Sequence, residues 1–233
     1  EIQQHLFPKS APHYPGFEIA GRTYPAEATG GDYFDFIPMP GDCVGLVVGD
    51  VTGHGVGPAL LMAETRAYLR ILARHNSDAG MILTDANQVL AEDVGTERFV
   101  TLLLARLNVR KRTLAYVNAG HIPGYIFGAT GELLSPLRRT GVPLGLRKDT
   151  KYSESAEIEL APGQMLLMLT DGFEEAEGEQ EEMFGTDRVF ELMRKHQNAS
   201  AADIVQALYD GVRQFGNGST QVDDLTAIVI KVK

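Results

Sequence analysis

Apolar residues occur along this chain in short runs, closed off by glycine, proline and acidic positions. Val44 to Val48 is rich in β-branched residues and bounded by turn formers, which predicts a buried strand. Phe17 to Thr23 alternates well enough to predict another. From Val56 to about Arg74 the chain is rich in Ala, Leu, Met and Arg with no internal breaker, which predicts a helix. Its apolar residues (Leu60, Leu61, Ala63, Ala67, Leu69, Ile71, Leu72) fall on more than one face. Burial in a core explains this most simply; the alternative, a dimer or regulatory face, leaves a homodimer open. Asp78 is placed to cap a second helix reaching about Glu92, with Met81, Ile82, Ala86, Val89 and Leu90 on its buried side.

The middle of the chain reads as β. Phe99 to Leu107 and Thr113 to Val117 predict paired strands, and Gly124 to Phe127 continues the meander. Ala156 to Leu160 and Met165 to Leu169 predict two more, the second apolar throughout and therefore central. Helices follow over Asp187 to Lys195 and Ala201 to Phe215, the latter capped by Ser200, before a last buried strand over Ala227 to Val232. Residues 1–16 open with a short helical piece that Pro8 interrupts, where Ile2, Leu6 and Phe7 form one apolar stripe. This is either the end of a linker helix from an upstream module or a terminus packed on the domain. No repeat or linker divides the remainder, so residues 17–233 are expected to form a single domain.

A formal net charge of −10 argues against nucleic acid as a partner and against an anionic membrane surface. No apolar run is long enough to span a bilayer, so no membrane insertion is expected. Cys43, the only cysteine, rules out an internal disulfide and fits a reducing, cytoplasmic setting as a small core residue. The missing start methionine suggests a domain cut from something larger.

Chemistry enters through aspartates set beside glycine or at strand edges: Asp32, Asp50, Asp171 and the pair Asp223 and Asp224. Gly30-Gly31 before Asp32 predicts a backbone bent through dihedrals that only glycine tolerates, and Gly53, Gly55 and Gly57 predict a turn after Asp50. An oxygen-only set favours Mg²⁺ or Mn²⁺ over zinc or copper. Convergent carboxylates repel one another unless cations neutralise them. With no P-loop, serine elbow or catalytic cysteine signature, water activated by metal and attacking a phosphate is the chemistry best supported. His121, in Asn118-Ala119-Gly120-His121, reads as structural, and the acidic stretch after Asp171 reads as a solvated loop beside an acidic site.

The ordered set GGDYFD, GDVTGHG, NAGH, GVPLG, TDGFEEA and DDLT resembles the bacterial PPM-type metal-dependent serine/threonine phosphatases, closest to the sporulation-protein-E and RsbU branch. The likeness spans roughly Phe17 to Val232. It implies an α+β fold, an α-β-β-α sandwich of two antiparallel sheets flanked by helices, with two Mn²⁺ or Mg²⁺ ions at one end. By resemblance Asp50 bridges both ions and the backbone carbonyl of Val51 binds one. Asp32 falls where the family binds one ion, and Asp171 and the aspartate pair where it binds the other. Asp223 aligns better with the ligand; Asp224 stands where relatives often carry asparagine. His54 is a candidate general acid, although the glycine spacing around it differs from that of eukaryotic relatives. The implied substrate is a protein phosphorylated on serine or threonine, an anti-sigma-factor antagonist or similar regulator. The implied setting is cytoplasmic, behind a sensor or response-regulator module, with the first two helices as a regulatory element. Two other readings compete. One is a catalytically silent binding module of the same fold. The other is a diguanylate-cyclase-like enzyme, since GGDYF differs by one residue from that family's GGDEF, but Tyr33 stands where an acid is required.

Overall fold

The computed structural model describes residues 3–94, 98–179, 182–217 and 220–233. Ten strands form two five-stranded sheets. One sheet runs β2 (Tyr33–Met39), β3 (Cys43–Val51), β4 (Val100–Asn108), β5 (Thr113–Ala119) and β8 (Ile158–Glu159). The other runs β1 (Phe17–Tyr24), β10 (Leu225–Val232), β9 (Met165–Leu169), β6 (Gly124–Phe127) and β7 (Leu133–Leu137). Every pairing between these strands is antiparallel.

Side-chain alternation explains the layering, because successive residues of a strand face opposite sides of its sheet. Along β3, Val44, Leu46 and Val48 point between the sheets, where they meet Met168, Ile228 and Ile230. Cys43, Val47 and Val51 point outward, into a second core built with α1 (Val56–Leu72) and α2 (Ala79–Asp93). Leu167, Leu169, Ala227 and Val229 face a third core beneath α4 (Gly185–Lys195) and α5 (Ala201–Phe215). Three cores between four layers make the expected α-β-β-α sandwich.

Both predicted helix caps are present: the side chain of Asp78 accepts from the Met81 N–H at 2.9 Å, and that of Ser200 from the Asp203 N–H at 3.1 Å. Cys43 is buried, as expected. Leu6 and Phe7 of the N-terminal stripe pack against the core around α1 and α2, while Ile2 lies outside the described residues.

The helix faces need correction. Burial does not explain the many-sided α1, because Leu60 and Ile71 are 67% and 60% exposed. Its buried side is Pro58, Leu61, Met62, Thr65 and Leu69. On α2, Met81 and Val89 face solvent and Leu83 is buried instead. Each helix lies on one sheet and can bury only one stripe. The strand expected over Ala156 to Leu160 is shorter, only Ile158–Glu159 at a sheet edge. Strand β7 was not predicted. Pro136 and two exposed leucines disguise it, and its edge position tolerates both. The acidic stretch after Asp171 is not all loop, since Gly172–Glu175 forms a helical turn, α3.

Candidate active site

The same alternation that fills the space between the sheets also decides what lines its mouth. Phe34 and Phe36 on β2, Val44, Leu46 and Val48 on β3, and Ile228 and Ile230 on β10 all carry even numbers and face inward. Continuing that parity to the strand ends places Asp32, Asp50, Thr226 and Asp224 on the inward face, and on β9 Met168 leads to Thr170. Apolar filling therefore gives way to acids and hydroxyls at one end of the sandwich.

Asp32 is 3% exposed. Its Oδ2 accepts from the Thr170 hydroxyl at 2.8 Å, and that hydroxyl in turn accepts from the Thr226 N–H at 3.1 Å. Burial, then the charge of Asp50, push its carboxyl well above the usual range, against the pull of the Thr226 and Thr170 hydroxyls. Asp50 is raised to about 8, first by burial and then by the carboxylates of Asp171, Asp223 and Asp224. Asp171 is raised by burial and by Asp223 and Glu175. Acids from strand ends in both sheets thus gather around Asp50, which senses those beside β9 and β10 together, while Asp32 senses Asp50 and Asp224.

The paired glycines act through space, not through special dihedrals. Neither has a positive φ, unlike Gly53 and Gly55 in the turn after Asp50 at +91° and +89°. A Cβ on Gly31 would lie 2.6 Å from the Val51 carbonyl oxygen and 2.9 Å from Asp50 Oδ1; one on Gly30 would lie 1.6 Å from Asp224 Oδ2. The Val51 carbonyl and the Asp50 carboxylate therefore sit together, against a backbone that only glycine can bring so close.

The last two acids differ in kind. Asp223 is exposed, and its Oδ1 accepts from the Asp224 N–H at 2.8 Å. Asp224 is buried, and its Oδ1 accepts from the Ala26 N–H at 2.8 Å. Its value is raised by burial while hydrogen bonds from the Ala26 and Asp32 N–H groups oppose the rise. Asp224 thus ties down the loop from β1 to β2, whereas Asp223 is open to an incoming ion.

His54 lies exposed in the turn between β3 and α1. His121 is buried, as its structural reading requires. Its Nε2 is 3.1 Å from the Leu169 carbonyl oxygen and its Nδ1 is 2.8 Å from the Thr101 hydroxyl. A carbonyl only accepts, so Nε2 carries the hydrogen and Nδ1 accepts from Thr101. Burial lowers this imidazole to about 4, which keeps it neutral. Thr101 pairs with Asp50 in the ladder, and Leu169 precedes Asp171 by two residues, so His121 is a strut between the two sheets directly behind the acids. Thr170, Thr226 and Thr101 were missed as site residues. The first two stand inside the TDG and DDLT motifs, whose acids drew the attention.

Among the described residues no group of three His, Cys, Asp or Glu side chains forms a preformed metal cage. Mg²⁺-like ions do not need one, since they keep several waters and take only one or two carboxylates each. Mutually repelling carboxylates with raised values, beside the Val51 carbonyl oxygen, are a donor set that hard divalent cations fit. Beside Asp223 opens a cleft of about 310 Å³, lined by Gly172, Glu175, Met183, Arg213 and Val222 among others.

Known proteins resemble this chain in sequence and in fold. The chain is 26% identical over 232 residues to "Phosphoserine phosphatase RsbU" of Bacillus subtilis, covering 100% of this chain and 68% of that protein. It is also 26% identical to "Protein IcfG" of Synechocystis, over 99% of this chain but only 40% of that protein. Among solved structures, the SiaA-PP2C domain of Pseudomonas aeruginosa superposes with a TM-score of 0.84 at 26% identity, covering 100% of this chain and 93% of that one. The family model for Stage II sporulation protein E (SpoIIE) matches residues 40–233, and the chain belongs to that family, within the SpoIIE and RsbU branch of the bacterial PPM phosphatases.

Proposed function

We propose that this domain is a metal-dependent protein phosphatase that hydrolyses phosphoserine and phosphothreonine. The observation that carries the reading is the meeting of Asp32, Asp50, Asp171 and Asp223, from strand ends of both sheets, at one mouth of the sandwich. Two Mn²⁺ or Mg²⁺ ions held there would supply charge neutralisation for the phosphoryl group and lower the pKa of the attacking water. Asp50, which senses carboxylates beside both β9 and β10, would be the shared ligand. The Val51 carbonyl and Asp32 would hold one ion, and Asp171 and Asp223 the other. Thr170 and Thr226 hold Asp32 in place. His54, exposed in the turn after Asp50, is the candidate we propose for giving the leaving seryl oxygen its proton.

The substrate proposed is a phosphorylated regulatory protein of the anti-sigma-factor-antagonist type, a reading supported by the phosphoserine phosphatase among the relatives. An upstream sensor or response-regulator module and a cytoplasmic location complete the proposal; among the described residues no helix is long and apolar enough to cross a membrane. The test is hydrolysis of an aryl phosphate and of a phosphoserine peptide with Mn²⁺ or Mg²⁺, before and after chelation. Turnover that disappears with EDTA and in Asp50→Asn supports the reading. Full activity after exhaustive EDTA treatment would overturn it, and ion binding without turnover would leave a silent binding module.

A further inference from the structure

The chain bearing Asp32 is gripped on both sides by a segment that lies far from the acids in sequence. Before Asp32, the Gln3 side chain meets the backbone of Gly30 at both of its polar groups. Nε2 donates to the Gly30 carbonyl at 2.6 Å, and Oε1 accepts from the Gly30 N–H at 3.2 Å. After Asp32, the ring of Phe7 stacks on Phe34 with centroids 5.6 Å apart and planes at 14°. Gly30 is itself wedged against Asp224, whose carboxylate holds the Ala26 N–H. The loop from residue 25 to 32 has no regular structure of its own, so such outside contacts set its path.

We propose that Gln3 is a positioning residue for the metal site, acting as an amide clasp that fixes Gly30 and, through it, Asp32 and the Gly31 approach to the Val51 carbonyl. The inference rests on the metal-dependent reading above. A side-chain amide, with its donor and its acceptor on separate atoms, satisfies both groups of one residue much as a neighbouring strand would, whereas an ionised carboxylate only accepts. Without the clasp, the loop would sample paths in which Asp32 is displaced. Ion affinity would then fall by the fraction of molecules still competent.

The test uses Gln3→Met, which keeps the length and removes both hydrogen bonds. Gln3→Asn, one methylene too short to close the clasp, guards against a folding failure of the first. Mn²⁺ binding is measured by calorimetry without substrate, alongside thermal unfolding in EDTA and kcat at saturating Mn²⁺. The expected result is a Mn²⁺ Kd weakened about fivefold, the scale of one to two ordinary hydrogen bonds. The saturated kcat should stay close to that of the unsubstituted protein, and the EDTA unfolding curve should fall by no more than the two lost hydrogen bonds account for. A purely structural role would move the unfolding curve and leave the Kd alone. Equal Mn²⁺ isotherms for the substituted and unsubstituted proteins would overturn the clasp while leaving the metal reading intact. Absence of Mn²⁺ binding by the unsubstituted protein would overturn both.

Discussion

Asp35 and Arg70 are joined by two hydrogen bonds of 2.6 Å, Nε to Oδ2 and Nη2 to Oδ1, across the boundary between β2 and α1. The carboxylate is fully buried and also accepts from the Tyr33 hydroxyl and the Phe36 N–H, each at 2.8 Å. Arg66 stands 4.0 Å away on the same helix. The two aspartates of GGDYFD therefore part company: Asp32 turns to the acid mouth, and Asp35 turns to the helix. Through Asp35, α1 is keyed to the strand that follows Asp32.

Removing that carboxylate leaves guanidinium groups unpaired beside an apolar core. Asp35→Ala should destabilise the fold by about 2–3 kcal/mol, discounted because Arg70 keeps some contact with water. Chemical denaturation measures it. A loss under about 0.5 kcal/mol, the level of an exposed ion pair, would show that the pair contributes only geometry.

Asp50 gives a pH dependence that runs against intuition. Its folded value of about 8 lies above its ordinary 3.8, so without cations the folded form keeps a proton that the unfolded chain has already released. Stability from this group is complete below about pH 4 and is lost as pH rises toward 8. In EDTA, Asp50→Asn should therefore raise the unfolding midpoint at pH 8, and with Mn²⁺ present it should abolish turnover. Mn²⁺ should stabilise the unsubstituted protein and not the variant. An Asp50→Asn protein less stable than its parent in EDTA at pH 8 would contradict the crowding of charge at the mouth.

The aspartate pair should separate by measurement. Asp223→Ala should weaken Mn²⁺ binding and leave stability nearly unchanged, because the side chain is exposed. Asp224→Ala should cost about 1 kcal/mol of stability, since the half-buried Ala26 N–H loses its acceptor. Calorimetric titration and urea unfolding of both variants decide it. The opposite assignment would show Asp224 to be the ligand.

Much of this was legible in the chain. The apolar runs marked β3, β9 and β10, and the caps Asp78 and Ser200 marked α2 and α5, because local chemistry decides them. Glycines beside aspartates marked the acids. What stayed hidden depends on partners distant in sequence. Asp35 passed unremarked inside GGDYFD, and nothing in the chain marked Arg70 as its partner. Gly30 and Gly31 looked like bending residues, and only the approach of Asp224 and the Val51 carbonyl shows that the missing Cβ is what matters. The exposed Leu60, Ile71, Met81 and Val89 were misplaced because hydropathy alone does not say which stripe of a helix meets the sheet.

His121 should reveal itself in acid. Its folded value of about 4 lies below the ordinary 6.5, so the unfolded chain binds the proton first as pH falls. The stability it contributes is complete above about pH 6.5 and is lost toward pH 4, a span worth about 3 kcal/mol. This trend opposes that of the raised acids Asp32, Asp50, Asp171 and Asp224, so it is read in the difference between the unsubstituted protein and His121→Leu, which carries the same acids. The unfolding free energy of the unsubstituted protein relative to His121→Leu should decline between pH 6.5 and 4. A flat difference would mean that the imidazole is charged in the fold. His121→Leu should also loosen the Thr101-to-Leu169 tie behind the acids.

The pairing of β1 with β10 sets an order of events during synthesis. Phe17 lies opposite Val232, and Tyr24 opposite Leu225, so the first strand waits for almost the entire domain to be translated before its neighbour exists. Contacts so remote in sequence are slow to form and leave an open edge meanwhile. The Asp223-Asp224 pair and Thr226 arrive on the same late segment. A nascent or prematurely ended chain would carry Asp32, Asp50 and Asp171 and still lack the strand that joins β1 to β9 in the sheet facing β2 and β3. Catalytic competence is thus withheld from partial products, and assembly of the acid mouth coincides with completion of the domain.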